Sequence, residues 1–219
     1  MKTKKTVYYI LMYLPLVVTL IILPNLPGKI PAHYGFDNQV DRWGSKYEAL
    51  LFPVISILMG YFLLGMARLA KKAEEHGENN KNVTIIVGIL VLILFNALNV
   101  YSLYTSFSKV ENLSFVSFDI GHLAFGIIGM LMIVTGNIMP KLRMNSMIGL
   151  RTHWSMKNEV TWKKCQHIGG ISFIVGGIII IGISIAMKGT PCLLSVLGIL
   201  ISLTVIDVFL TYRIAKVNC

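Results

Sequence analysis

The chain has 219 residues, 55% of them hydrophobic and only 14% charged, with a mean hydropathy of +0.70. A soluble fold of that composition would expose too much apolar surface to stay dispersed, so lipid is the solvent it implies. The net charge of +10 would point to nucleic acid in a soluble protein, but here the basic residues flank apolar segments, so the charge reads as topological and nucleic acid is excluded as a direct partner.

Six apolar stretches, at 7–26, 49–68, 83–106, 116–138, 167–187 and 191–212, are each long enough to cross a bilayer, since a span needs roughly 20 apolar residues. The expected fold is an all-α integral membrane protein, a bundle of six transmembrane helices. The first stretch follows Lys2, Lys4 and Lys5 as a signal peptide would. It runs from Val7 to Pro24 with no small-x-small cleavage site after it, however, and is read as a retained span. Basic residues are held on the cytoplasmic side during insertion. With the N-terminus inside, Lys29, Arg42, Lys46, Lys109 and Lys188 lie outside and the other fifteen of the 20 Lys and Arg lie inside. The expectation is a multi-pass protein of the cell membrane with both termini cytoplasmic. Three regions are expected: a two-span region over 1–82 with an extracellular loop at 27–48, a third span and linker over 83–115, and a three-span region over 116–219 with a cytoplasmic loop at 139–166.

The extracellular loop is dense in aromatic and charged groups, and Asp37-Asn38 favours a turn, which predicts a short hairpin. His33, Asp37, Asp41, Arg42, Trp43 and Lys46 are its candidate ligand-binding residues, because loops on a rigid scaffold are where binding usually resides. Tyr34, Phe36 and Trp43 suit an interfacial aromatic belt as well. His33, Asp37 and Asp41 fix no metal geometry, and no metal is assigned. In the third span, Asn96 and Asn99 are three apart and are expected to hydrogen-bond between helices. Asp119 and His122 share a face at the start of the fourth; they either titrate or hold an ion near neutral pH, or form a local hydrogen bond.

Pro140 ends the fourth span. In the loop that follows, Ser155 is placed to cap a helix lying along the inner interface, with Trp154 and Trp162 at headgroup depth. Arg151 and Glu159 are placed to form an ion pair. Such a loop suits lipid anchoring or a docked cytoplasmic protein. The small pairs Ser172/Gly176, Gly182/Ala186 and Gly198/Ser202, each four apart, predict that spans five and six touch. Asp207 is the deepest ionisable group, either a proton or ion relay or an anchoring hydrogen bond or ion pair near the inner interface. The two sets of three spans, entering from opposite sides, have the outline of an inverted repeat, as any six-span chain does by counting. Cys165, Cys192 and Cys219 lack C-x-x-C spacing and read as inert thiols. No phosphate loop, H-E-x-x-H or G-x-S-x-G is present, so neither an enzyme nor a cofactor is expected.

Gly136-Asn137, Pro140-Lys141, Ile148-Gly149-Leu150-Arg151-Thr152, Trp154, Asn158-Glu159 and Trp162-Lys163 together resemble the hallmark region of the SdpI family of bacterial immunity proteins. Ile30-Pro31, His33, Asp41-Arg42-Trp43 and Lys46 resemble the small N-terminal domain that accompanies it. The resemblance implies a non-enzymatic membrane protein that protects its producer from a secreted antimicrobial peptide toxin. It further implies a receptor that relays the toxin's presence to a cytoplasmic repressor. By this resemblance the docking set is Asn137, Pro140, Arg151, Thr152, Trp154, Asn158, Glu159 and Trp162. The sequence differs from the family at His153, commonly Pro, and at Cys165-Gln166-His167. A homo-oligomer is compatible with the sequence. The rival class is a small transporter or exporter of a peptide or ion, motivated by Asp119, His122 and Asp207.

Overall fold

Hydrocarbon offers the backbone no hydrogen-bond partner, so each apolar stretch must close its own bonds as a helix. The computed structural model describes residues 2–35, 37–72, 77–116, 120–145 and 148–218. It contains α1 (Lys2–Ile22), α2 (Leu51–Lys72), α3 (Gly77–Phe107), α4 (Ile120–Ile138), α5 (Glu159–Ala186) and α6 (Gly189–Asn218). All six are long and apolar enough to cross a membrane. Large apolar side chains such as Leu58, Ile185 and Ile201 are exposed on the outside of the bundle, where lipid accepts them. The protein is a multi-pass helical membrane protein.

Between α1 and α2 the chain forms the expected hairpin, β1 (Lys29–Tyr34) paired antiparallel with β2 (Val40–Ser45). Asn38 takes φ 64°, a left-handed turn position that a short Asx side chain tolerates, and the Asp37 carboxylate accepts the Gln39 N–H at 3.1 Å. A capping box, in which Ser45 and Glu48 each accept from the other's end of the turn, leads from β2 toward α2.

In the first half, α1 packs on both α2 and α3. Tyr8 fills the space left by Gly88 and donates its hydroxyl to the Gly60 carbonyl at 2.7 Å, while Met12 fills the space at Gly60. Pro15 has no N–H, which leaves the carbonyl four residues earlier, that of Leu11, without its helical partner. The Asn96 amide supplies one from α3 at 2.8 Å. One turn on, buried Asn99 accepts from Thr19 at 3.2 Å and donates to the Pro15 carbonyl at 3.5 Å. The expected interhelical bonding of Asn96 and Asn99 is thus observed, and for Asn96 its reason is the proline in α1.

The second half is organised by glycines spaced seven apart. Gly129 and Gly136 on α4 meet Gly177 and Gly170 on α5 so closely that a Cβ on Gly136 would lie 2.5 Å from the Gly170 carbonyl oxygen. Helices α5 and α6 touch, as predicted, through Leu203 seated on Gly176 and through Ser172 lying beside Asp207. The other two small pairs play no such part: Gly182 and Gly198 face open space, and Ser202 bonds back to Gly198 of its own helix at 2.7 Å. The pairing of α3 with α4 joins the two halves.

One expected element is replaced. No separate interfacial helix follows Ser155; α5 starts at Glu159 and runs unbroken into the span. Its cap is Asn158, whose side chain accepts the Thr161 N–H at 2.8 Å. The Ser155 hydroxyl instead accepts the Thr152 N–H and donates to the Leu150 carbonyl, which commits it to a turn.

Candidate functional site

The connections fall at two ends of the bundle, one carrying the hairpin and the other the loop between α4 and α5. At the hairpin end, His33, Asp41, Arg42 and Trp43 are exposed, so that β2 shows side chains to solvent on both faces of the ribbon, while Ile30 is buried with Leu26, Ala49 and Leu103. His33 Nδ1 lies 2.7 Å from the Asp41 carboxylate, and Arg42 pairs with Glu48 at 2.9 Å. Lys46 stands 5.9 Å from the Tyr47 ring centre. Asp37 is committed to its own turn, so His33, Asp37 and Asp41 do not converge, and no metal-holding group of His, Cys, Asp and Glu occurs among the described residues. Phe36, a member of the expected aromatic belt, lies outside those residues.

The hairpin is tied down by the segment that follows α3. Val40 N–H donates to the Glu111 carbonyl and Leu113 N–H to the Asn38 carbonyl, both at 2.9 Å, and the Tyr34 hydroxyl donates to the Val110 carbonyl at 2.9 Å. The turn meets the starts of α4 and α6 around a cavity of 210 Å3 lined by Gly35, Asn38, Gly121 and Gly189. Burial pushes the Tyr34 phenol above its ordinary range, with the Thr105 hydroxyl partly offsetting it. A phenol raised on folding contributes stability that is present below the unfolded value of about 10 and is lost as pH rises through the folded value. Tyr34→Phe should therefore lose less stability than the parent in thermal melts taken from pH 9 upward; coincident alkaline profiles would count against this coupling.

At the other end, the loop is irregular in backbone, and its described residues are tied together by hydrogen bonds. Trp162 is 1% exposed, packed inside the protein, and its indole N–H donates to the Leu142 carbonyl at 2.9 Å. Burying the ring against Val83, Met139 and Leu142 satisfies its apolar area and its one donor together. Asn145 donates to the Arg143 carbonyl and accepts the Ile148 N–H, both at 2.7 Å. Gln166, wholly buried on α5, receives the Leu150 N–H and donates to the Leu150 carbonyl, each at 3.0 Å. Gly149 has φ +104°, and a Cβ there would lie 2.7 Å from the Gln166 side-chain oxygen.

Helix α6 holds the remainder of the loop. Thr152 donates to Thr211 at 3.0 Å, Trp154 stacks edge-on to Tyr212 with ring centres 5.5 Å apart, and Asn158 donates to the Asn218 carbonyl at 3.3 Å. Pro140 sits in the short turn that closes α4, against Gly170. Asn137 is exposed and bonds back to Ile133 of its own helix at 2.9 Å. The expected Arg151–Glu159 ion pair is not formed. Glu159 is exposed at the first position of α5, where a negative charge suits the helix N-terminus, while Arg151 lines a groove beside α2 and α3.

The loop thus brings Thr152, Trp154, Asn158 and Trp162 into one bonded unit with Gln166, Asn145 and Thr211, none of which was singled out for a role by sequence reasoning. The available signal was a lone amide, Gln166, entering an apolar helix. Arg143, Arg151, His153, Lys157 and Lys163 remain exposed around this unit.

Within the spans, Asp207 is 3% exposed, with Ser172 beside it and its Oδ1 without a hydrogen-bond partner. His122 is half-buried near the start of α4, and Asp119 lies outside the described residues. Cys165 and Cys192 are buried and form no disulfide among the described residues.

A six-span bundle with a hairpin at one end and a hydrogen-bonded basic loop at the other defines the class. Comparison with known proteins narrows it. The model of the SdpI/YfhL protein family matches residues 141–210, from the loop through most of α6, and a domain of unknown function, DUF1648, matches residues 10–57, which include the hairpin. The chain is 24% identical over 213 residues to Immunity protein SdpI of Bacillus subtilis (strain 168), covering 97% of this chain and 96% of that protein. The resemblance to the SdpI family carried by the loop motif is borne out, and the similarity extends over nearly the full length. No solved structure matches the chain.

Proposed function

We propose that the protein is a membrane immunity protein, protecting its cell from a secreted antimicrobial peptide. The observation that carries this reading is the similarity to Immunity protein SdpI across almost the whole of both chains. The distribution of basic residues supports placing the hairpin outside and the loop and both termini in the cytoplasm. The exposed set His33, Asp41, Arg42 and Trp43 is then the surface that meets the peptide. The loop around Thr152, Trp154 and Asn158, held by α6 and edged with free cations, is the surface offered to a cytoplasmic protein such as a repressor.

The hairpin assignment is tested without disturbing the fold. Trp43 and Arg42 are exposed, and an exposed ion pair such as Arg42–Glu48 contributes about 0–1 kcal/mol. Trp43→Ala and Arg42→Ala should therefore leave melting almost unchanged. Truncating an interfacial Trp or Arg anchor costs about 2 kcal/mol or more of binding, which is roughly 30-fold in affinity. In killing assays on sensitive cells, the double variant should shift the half-lethal peptide dose most of the way to that of cells lacking the protein. Full protection by the double variant, at equal membrane abundance, would refute the hairpin's role.

A transport reading rests on one observation, the partnerless oxygen of buried Asp207. Peptide or ion flux into liposomes that is abolished by Asp207→Asn would favour transport; protection retained in that variant with no flux in the parent favours sequestration.

A further inference from the structure

Beside the loop, α2, α3, α4 and α5 enclose a groove of about 360 Å3, within the size range of small-molecule sites. Phe62, Met66, Val87, Leu142 and Phe173 make its apolar wall. Two hydroxyls on the wall, Thr84 and Thr135, are already spent on carbonyls of their own helices, at 2.9 and 2.7 Å. Phe62 is 60% exposed on the outer face of α2, so the groove opens sideways toward the surface that lipid covers. Among the described residues its single ionisable lining residue is Arg151, exposed at the rim. Among the described residues the Arg151 guanidinium has no ion pair or hydrogen bond, and the groove is lined by no Asp or Glu.

A cation held at one end of an apolar, laterally open groove matches one chemistry, an acyl chain joined to a phosphate. We infer that this groove binds a membrane lipid, an anionic glycerophospholipid with an acyl chain along Phe62, Val87 and Phe173 and its headgroup phosphate on Arg151. Basic pockets between transmembrane helices bind lipid headgroups in this manner, and arginine suits phosphate because its planar fork donates two parallel hydrogen bonds. The backbone that carries Arg151 is anchored at the preceding residue, since Leu150 is bonded through both its N–H and its carbonyl to Gln166. The inference is independent of protection against a peptide and stands or falls on lipid retention alone.

Native mass spectrometry of the full-length protein, purified in detergent with equal phosphatidylglycerol and phosphatidylcholine, reads it directly. One phosphatidylglycerol per chain should be retained in preference to phosphatidylcholine. Arg151→Ala should lower that retention roughly fivefold, the effect expected for one cation near a lipid phosphate. Val87→Trp, which fills the groove and leaves the charge, should abolish it, with circular dichroism melting confirming that each variant is folded. Arg143→Ala, a neighbouring exposed cation outside the groove, should change nothing. Equal retention of the two lipids, equal loss in the Arg143 and Arg151 variants, or retention unchanged in Val87→Trp would each overturn the assignment. A dimer mass that disappears in Val87→Trp would assign the groove to a second copy and overturn it as well.

Discussion

Gly136→Val is expected to lower stability by about 3 kcal/mol, the upper end of the usual cost of overpacking. The obstruction it meets is a backbone carbonyl, that of Gly170 at 2.5 Å, and the Ile174 side chain at 2.9 Å. Neither can move aside unless α5 moves, and α5 is also held at Gly177 by the carbonyl of Gly129. Lipid supplies no hydrophobic force between helices, so their pairing depends on close backbone approach and the dispersion it allows. Losing that approach at one crossing loosens the other. Gly182→Val is the matched control, because nothing lies within 4 Å of the position its Cβ would take. Thermal unfolding in one detergent should separate the two variants clearly; equal melting temperatures would remove the α4–α5 glycines from the packing argument.

That contrast shows what the sequence can and cannot disclose about packing. Spans follow from apolar length, which is why α1 to α6 fall where the stretches predict. Small residues four apart also occur on lipid-facing surface, so the spacing alone does not separate Gly182/Ala186 and Gly198/Ser202 from Ser172/Gly176. The seven-residue spacing of Gly129/Gly136 and Gly170/Gly177 spans two turns and was hidden among the other glycines of two apolar helices. The hairpin was legible because Asp37-Asn38 is local turn chemistry. The loop after α4 was legible as a motif but not as a structure. Its bonds join residues far apart in the chain, such as Leu150 to Gln166 and Thr152 to Thr211, and no periodicity marks such pairs. The Arg151–Glu159 pair failed for the same reason: eight residues of irregular backbone say nothing about where two charges end.

Gln166→Leu should release this loop while leaving the six helices in place. The substitution keeps the volume close to that of glutamine but removes the acceptor for the Leu150 N–H. The Leu150 carbonyl is protected, because the Ser155 hydroxyl also donates to it at 2.9 Å. One donor is therefore stranded, and a buried group left without its partner costs about 1–3 kcal/mol. The cost falls on residues 149–152, so the expected readout is local: trypsin cleavage after Arg151 speeds up severalfold, while helical circular dichroism and membrane abundance hold. Gly149→Ala attacks the same joint from the other side, by forcing a Cβ into a left-handed backbone and toward the Gln166 oxygen at 2.7 Å. Because both variants break one contact, their effects on cleavage should combine to less than the sum. Fully additive effects would mean that Gly149 and Gln166 act separately, and an unchanged cleavage rate in Gln166→Leu would mean that the loop is held by its bonds to α6 instead.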